Sequence, residues 1–293
     1  MAAPERFADD APAKVNLTLR VVGRRPDGYH DLESLVAFAA VGDELSLTPD
    51  GELALTVSGP RAAQAGEAAD NLVVKAALAL AARVPELRLG TFHLDKRLPV
   101  AAGLGGGSAD AAAALRLLAR ANGIAVYDVR LFEAARATGA DVPVCLDPRP
   151  RLMRGIGDVL SAPLALPPLP AVLVNPGVAV ATKSVFVRWA PAAEPMALDL
   201  SKFGPALSRD ECLRLLTLHG NDLEPAAIAL EPTIAEVLAA LRALPGCRLA
   251  RMSGSGATCF GLFAAAAAAI EAAQTLAAQH PHWWVRATAL GGG

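Results

Sequence analysis

No stretch of this 293-residue chain is apolar for long enough to cross a bilayer. The longest run, CFGLFAAAAAAI at 259–270, stops at Glu271, well short of the ~20 residues a spanning helix needs. Positive charge is not in surplus either, the formal net charge being −2. A nucleic-acid surface is normally basic, so such a partner is not expected. A small anionic ligand asks only for local positive potential. The four cysteines, Cys145, Cys212, Cys247 and Cys259, include no C-x-x-C pair, which speaks against a zinc or disulfide framework and for reduced thiols. The opening MAAPERFADDAPAK lacks the apolar core of a secretory signal. These absences predict a cytoplasmic protein with no membrane partner. What is abundant is core material, with 53% hydrophobic and 19% charged residues, and the length suggests about two domains or one large one.

A further absence is local. LPVAAGLGGGSADAAAALRLL (98–118) has the glycines of a phosphate-binding loop but no lysine after the last of them, as a Walker A loop requires. Ser108 stands where G-x-G-x-x-G would place its third glycine. The glycines permit positive φ and close approach to a ligand, and their amides can converge on an anion. Ser108 is expected to cap the helix that follows, with Asp110 in its first turn. The helix N-terminus adds partial positive charge. By itself the segment fits a phosphate cradle or a plain turn before a helix.

The pattern predicts strands over 13–22, SLVAFAAV, ELSLT, ELALTVSG and TFHLDKRL, with the Pro-Asp-Gly of RRPDGYHD as a turn. Helices are expected after Asp70-Asn71, over 108–121 and over 127–138. The proline-rich APLALPPLP (162–170) is the expected joint between domains 1–161 and 162–293. Beyond it come strand AVLVN, a short helix from Thr182, helices 208–218 and 231–243, strand RLARM, the turn SGSGA, strand TCFGLF, helix 264–279 and strand HWWVRATAL. A second half ending in this order suits an α+β sandwich with an antiparallel sheet.

Three more segments carry chemistry. In APAKVNL, Lys14 and Asn16 share one face of a strand, so a cation and an amide point the same way. In GADVPVCL, Asp141 sits among small and apolar neighbours, and a buried carboxylate needs a partner, for which Lys14 is a candidate. SGSGA offers amide donors, or is an ordinary hairpin.

Together APAKVNL, PVAAGLGGGS (99–108) and SGSGATCF resemble the GHMP kinase superfamily in order and spacing, across nearly the whole chain. RPDGYHDLESL, GADVPV, RGIGD, NPGVAVATKSVF and NDLEP resemble the branch that acts on cytidylyl-linked methylerythritol. The resemblance implies an α+β, two-domain GHMP kinase fold, with an N-terminal α/β domain like that of a ribosomal protein and a C-terminal α+β sandwich. It implies ATP and Mg²⁺ as cofactors, a small substrate carrying cytidine diphosphate, and phosphorylation of that substrate's 2-hydroxyl. Lys14 and Asp141 would be catalytic, Asp141 as base. Pro99, Val100, Ala101, Ala102, Gly103, Leu104, Gly105, Gly106, Gly107 and Ser108 would hold ATP, with Asn71 and Lys96 toward the nucleotide and Ser108 toward Mg²⁺. Asn16, Tyr29, His30, Thr182 and Phe186 would bind the substrate, Tyr29 and Phe186 as the two faces of a cytosine sandwich. A monomer or weak homodimer is expected. The pattern departs from the superfamily at Ala109, where a second serine is usual. Kinases of other small alcohols and non-catalytic relatives are the rival readings. DGYH with Phe186 speaks against the first, and the presence of both Lys14 and Asp141 against the second.

Overall fold

The computed structural model describes residues 5–191, 199, 202–204 and 207–291. The strands are β1 (Phe7–Asn16), β2 (Arg20–Arg24), β3 (His30–Pro49), β4 (Ala54–Ser58), β5 (Gly90–Asp95), β6 (Arg151–Gly155), β7 (Val159–Leu160), β8 (Leu169–Asn175), β9 (Cys247–Met252), β10 (Cys259–Phe263) and β11 (Trp284–Leu290). The helices are α1 (Leu72–Ala81), α2 (Gly106–Ala121), α3 (Val129–Thr138), α4 (Val142–Cys145), α5 (Thr182–Arg188), α6 (Arg209–Thr217), α7 (Glu224–Leu230), α8 (Thr233–Ala243) and α9 (Ala266–Gln279). The fold is α+β, as expected. It forms two compact units, each built from three pieces of chain: Met1–Ala13, Gly42–Val100 and Gly105–Pro148 in the first, and Lys14–Val41, Ala101–Leu104 and Arg149–Gly293 in the second. The last change of unit falls between Pro148 and Arg149, and the proline-rich 162–170 stretch lies inside the second.

In the first unit, β5 pairs antiparallel with the end of β3 and parallel with β4. Helices α1 and α3 pack with α2. Asn71 caps α1, its side-chain oxygen accepting from the Val73 amide, and Val73, Ala76, Ala77 and Leu80 form the buried stripe of an amphipathic helix. Helix α2 is buried on nearly every side, with Ala111 to Ala114, Leu115, Leu117 and Leu118 inaccessible. Its alanines have high helix propensity and let neighbouring helices approach closely.

In the second unit, β9, β10, β8 and β11 run in that order, all antiparallel. Strands β8 and β10 are buried along their whole length, as continuous apolar strands covered on both faces must be. Ile234, Val237, Leu238 and Leu241 of α8 and Ala269, Ala272 and Leu276 of α9 meet Val172, Val174 and Phe263 in one core. Burying a side chain such as Phe263 contributes ~1.5–3 kcal/mol. Ser208 and Glu211 close a reciprocal capping box at the start of α6.

Several boundaries differ from expectation. SLVAFAAV and ELSLT are one 20-residue strand, β3, with no break. Gly42 lies within it, where a Cβ would meet the Ala11 carbonyl oxygen at 2.4 Å. The short elements β6, β7, α4 and α7 gave too few residues for a periodic signal, and prolines open both α4 and α7.

Candidate active site

The glycine loop enters helix α2 two residues earlier than the sequence suggested. Gly105, with φ 60°, is the residue before the helix, and no side chain caps it. Ser108 is therefore inside the first turn rather than the cap, and Asp110 lies beyond that turn, buried. The local reason is that glycine adopts left-handed φ without strain, so the chain can turn into the helix before a serine is needed. The first helical bond runs from the Ala109 amide to the Gly105 carbonyl at 2.8 Å. The amides of Gly106, Gly107 and Ser108 precede it and have no intrahelical acceptor. They point along the helix dipole toward the loop, an arrangement that favours an anion. Ala109, at 1% exposure, is part of the core.

In the second unit three of the motifs meet. The Lys14 amide donates to the Leu104 carbonyl at 2.8 Å, and the Thr258 amide to the Ala102 carbonyl at 3.1 Å. The Ser253 hydroxyl donates to the Gly103 carbonyl at 2.9 Å and accepts from the Asn16 amide at 3.1 Å. Residues 102–104 are thus held between the end of β1 and the β9–β10 hairpin. Lys14 and Asn16 are both 4% exposed. Asn16 has its orientation fixed by a chain of bonds: the Ser34 hydroxyl donates to the Thr18 carbonyl at 2.5 Å, so its oxygen takes the Asn16 Nδ2 at 2.7 Å. That leaves the buried Asn16 Oδ1 as an acceptor with no partner among the described residues, beside Gly254. A buried acceptor left open costs ~1–3 kcal/mol and is suited to a ligand hydroxyl. Thr182, the first residue of α5, shares a 2.8 Å hydrogen bond with Ser255.

Sequence reasoning missed how the SGSG turn is held. Asn221 Nδ2 donates to the Met252 and Gly254 carbonyls, both at 2.8 Å, and Glu224 Oε2 accepts from the Met252 amide at 2.8 Å. NDLEP was the available signal, but nothing in it names a partner some thirty residues on.

The turn at 25–29 is tight, as Pro-Asp-Gly predicts. The Arg25 amide donates to the Tyr29 carbonyl at 2.8 Å, Asp27 Oδ1 accepts from the Tyr29 amide at 3.1 Å, and Gly28 has φ 87°. Phe186, one expected face of the cytosine sandwich, lies in an aromatic cluster. His30 lies against Phe186, with ring centroids 4.8 Å apart and an interplanar angle of 22°, and meets Trp189 edge-on at 5.6 Å. Tyr29 is 62% exposed. Burial, with the Arg24 charge adding to it, lowers the His30 pKa.

In the first unit Asp141 is half-buried at the start of α4, whose four residues are all buried. Asn71 spends its side-chain oxygen on the α1 cap, leaving Nδ2 for other partners. Lys96 does not present an open ammonium. It is 4% exposed and donates to Asp43 Oδ2 and Asp110 Oδ2, each at 2.6 Å. Burial lowers the Lys96 pKa, but the two carboxylates outweigh it and the net shift is upward. Burial chiefly, with the Asp43 charge adding and Lys96 opposing, raises Asp110 to about 7. The folded protein therefore binds a proton that the unfolded chain, with its carboxyl near 3.8, releases. The stability from that proton is complete below the unfolded value and is lost as pH rises through about 7. Asp110→Asn is accordingly expected to gain Tm relative to the parent as pH rises from about 4 to about 7. Parallel Tm profiles of the two proteins would show that Asp110 does not titrate in that window.

Models of the N-terminal and C-terminal domains of the GHMP kinases match residues 71–147 and 197–282. The fold and its glycine loop are those of a GHMP kinase, a transferase with ATP as phosphate donor. A 4-diphosphocytidyl-2-C-methyl-D-erythritol kinase of Xanthobacter autotrophicus is 60% identical over 288 residues, 96% of this chain and 97% of that protein. One of Methylobacterium radiotolerans is 59% identical, covering 97% and 99%. A crystal structure of a 4-(cytidine 5'-diphospho)-2C-methyl-D-erythritol kinase superimposes with a TM-score of 0.77 at 38% identity, covering 98% of this chain and all (100%) of that one. The homoserine kinase of Cytophaga hutchinsonii, at 20% identity and a TM-score of 0.73, shares the fold. The chain belongs to the 4-diphosphocytidyl-2-C-methyl-D-erythritol kinase family. No helix among the described residues is long and apolar enough to cross a membrane.

Proposed function

We propose that the chain transfers the γ-phosphoryl group of ATP to the 2-hydroxyl of 4-diphosphocytidyl-2-C-methyl-D-erythritol, giving the 2-phosphate and ADP in the non-mevalonate route to isoprenoid precursors. The observation that carries the choice of substrate is the His30–Phe186–Trp189 cluster beside the exposed Tyr29. In a chain with 4% aromatics, such a concentration suits a flat base. Homoserine and mevalonate offer nothing to stack. The test is an ADP-release assay with 4-diphosphocytidyl-methylerythritol, mevalonate and homoserine. Turnover with the first alone is expected, and comparable turnover with either of the others would overturn the assignment.

Phosphoryl transfer asks for positioning, charge neutralisation and a base for the alcohol. Asp141 accepts the hydroxyl proton as the oxygen attacks. Lys14 stabilises the developing alkoxide and the Asp141 carboxylate. The loop amides and the uncapped start of α2 hold the phosphates, and the Asn71 Nδ2 faces the nucleotide. Asn16 Oδ1 accepts from a hydroxyl of the polyol, and Thr182 holds the diphosphate. Mg²⁺ would be held mostly by the phosphates and water, an arrangement that needs few protein ligands. Ser108 would be the ligand, and the ion when bound neutralises charge on the phosphates.

Base stacking on an aromatic is worth ~1–3 kcal/mol. Tyr29→Ala is therefore expected to raise KM for the cytidylyl substrate about tenfold with little change in kcat. An unchanged KM would remove Tyr29 from the site.

A further inference from the structure

We propose that Asp43, Lys96 and Asp110 are positioning residues that staple together the two ends of the glycine loop and so set the spacing of its phosphate-binding amides. The proposal rests on the reading of that loop as the triphosphate cradle. Asp43, one residue past Gly42 in β3, accepts at Oδ1 from the Arg97 amide at 2.6 Å and the Leu98 amide at 2.8 Å. These residues lead into the loop. Its Oδ2 takes the Lys96 ammonium at 2.6 Å, and the same ammonium reaches Asp110 Oδ2, in the second turn of α2, at 2.6 Å. The chain that enters at Leu98 and the helix that starts at Gly106 are thereby joined through one nitrogen. That nitrogen lies 3.4 Å from where a Gly106 Cβ would be, directly behind the helix start.

Stability does not account for the cluster. Asp43, Lys96 and Asp110 are 1%, 4% and 2% exposed, and a buried ion cluster is often no more stable than apolar residues of the same volume. Asp110 Oδ1 has no partner among the described residues, which adds to that cost. The directional bonds supply what apolar packing does not, a fixed distance between two backbone segments on either side of a loop. Lys96 was expected to touch the nucleotide; its bonds place its role beneath the loop.

The experiment measures KM for ATP, KM for the alcohol substrate, kcat and Tm in Asp43→Asn, Asp110→Asn and the loop variant Gly103→Ala. Asp43→Asn turns an amide group toward the ammonium and is expected to raise KM for ATP about tenfold, with KM for the alcohol within about twofold. Asp110→Asn leaves the Lys96–Asp43 bond in place and is expected to raise KM for ATP about threefold. It carries the test should Asp43→Asn fail to fold. If both carboxylate variants lose only Tm while Gly103→Ala weakens ATP binding, the staple is wrong and the cradle stands. If Gly103→Ala folds and binds ATP as the parent does, the cradle reading fails and the proposal with it.

Discussion

Asp141→Ala is expected to bind ATP with an affinity within about twofold of the parent and to lose turnover by ~10²–10⁴-fold, the range that a positioned base contributes. Isothermal titration of the nucleotide and single-turnover ADP release separate the two effects. The Val142 amide donates to the Gly139 carbonyl at 3.1 Å, and Arg116 Nη1 donates to the Cys145 carbonyl at 2.7 Å. Backbone bonds and the buried apolar side chains of α4 thus help to hold this turn. Asp141→Asn keeps the shape and removes only the capacity to accept a proton, so it should lose turnover to the same extent. Parent-like turnover in either variant would remove Asp141 as the base.

The second large effect is expected from Gly103→Ala. An added Cβ would lie 2.4 Å from the Ser253 carbonyl oxygen and 3.0 Å from that of Gly256, at a residue whose φ is 74°. Neither oxygen belongs to a group that can swing away. The Ser253 amide donates to the Thr258 carbonyl at 2.9 Å and the Gly256 amide to the Ser253 carbonyl at 3.0 Å, while Asn221 holds the Gly254 carbonyl from the other side. The loop must therefore give way by an ångström or so, and displacement on that scale can cost ~10²-fold in rate. The measurement is kcat/KM for ATP, with Gly23→Ala, where a Cβ meets nothing within 4 Å, as the control. A kcat/KM equal to the parent's would show that the loop does not need its contact with the SGSG turn.

What could be read before the structure was local. Gly103 and Gly105 announce a backbone that departs from ordinary φ, Asn71 announces a helix start, and the alternation of buried and exposed positions announces the strands. The position of Ser108 was misjudged because Gly105 performs the turn that a capping serine would otherwise assist. The long β3 was read as two strands, and the residues between them, Gly42 and Asp43, serve close approach and amides 54 and 55 residues away. Partners at that range leave no trace in composition or periodicity. The Lys96 cluster, the Asn221 clamp on the hairpin and the Asn16–Ser253 bond, which spans 237 residues, were illegible for that reason. The stacking of His30 on Phe186 joins residues 156 positions apart and was approached only through resemblance.

The interleaving of the two units constrains how the chain can be made. All segments of the first unit have been synthesised once Pro148 is in place. Residues 30–41 then have β2 beside His30 to Glu33 but have been waiting for two later partners: β6 pairs with Leu32 to Val36, and Leu290 of β11 with Ala39. At ~5–20 residues per second, a strand containing Leu35, Val36, Ala37 and Phe38, all buried in the finished protein, stays without those neighbours for roughly ten seconds. An apolar strand edge exposed for that long can pair with another nascent chain. The fold that brings Lys14, Asn16 and residues 101–104 to the β9–β10 hairpin thus carries a hazard during synthesis.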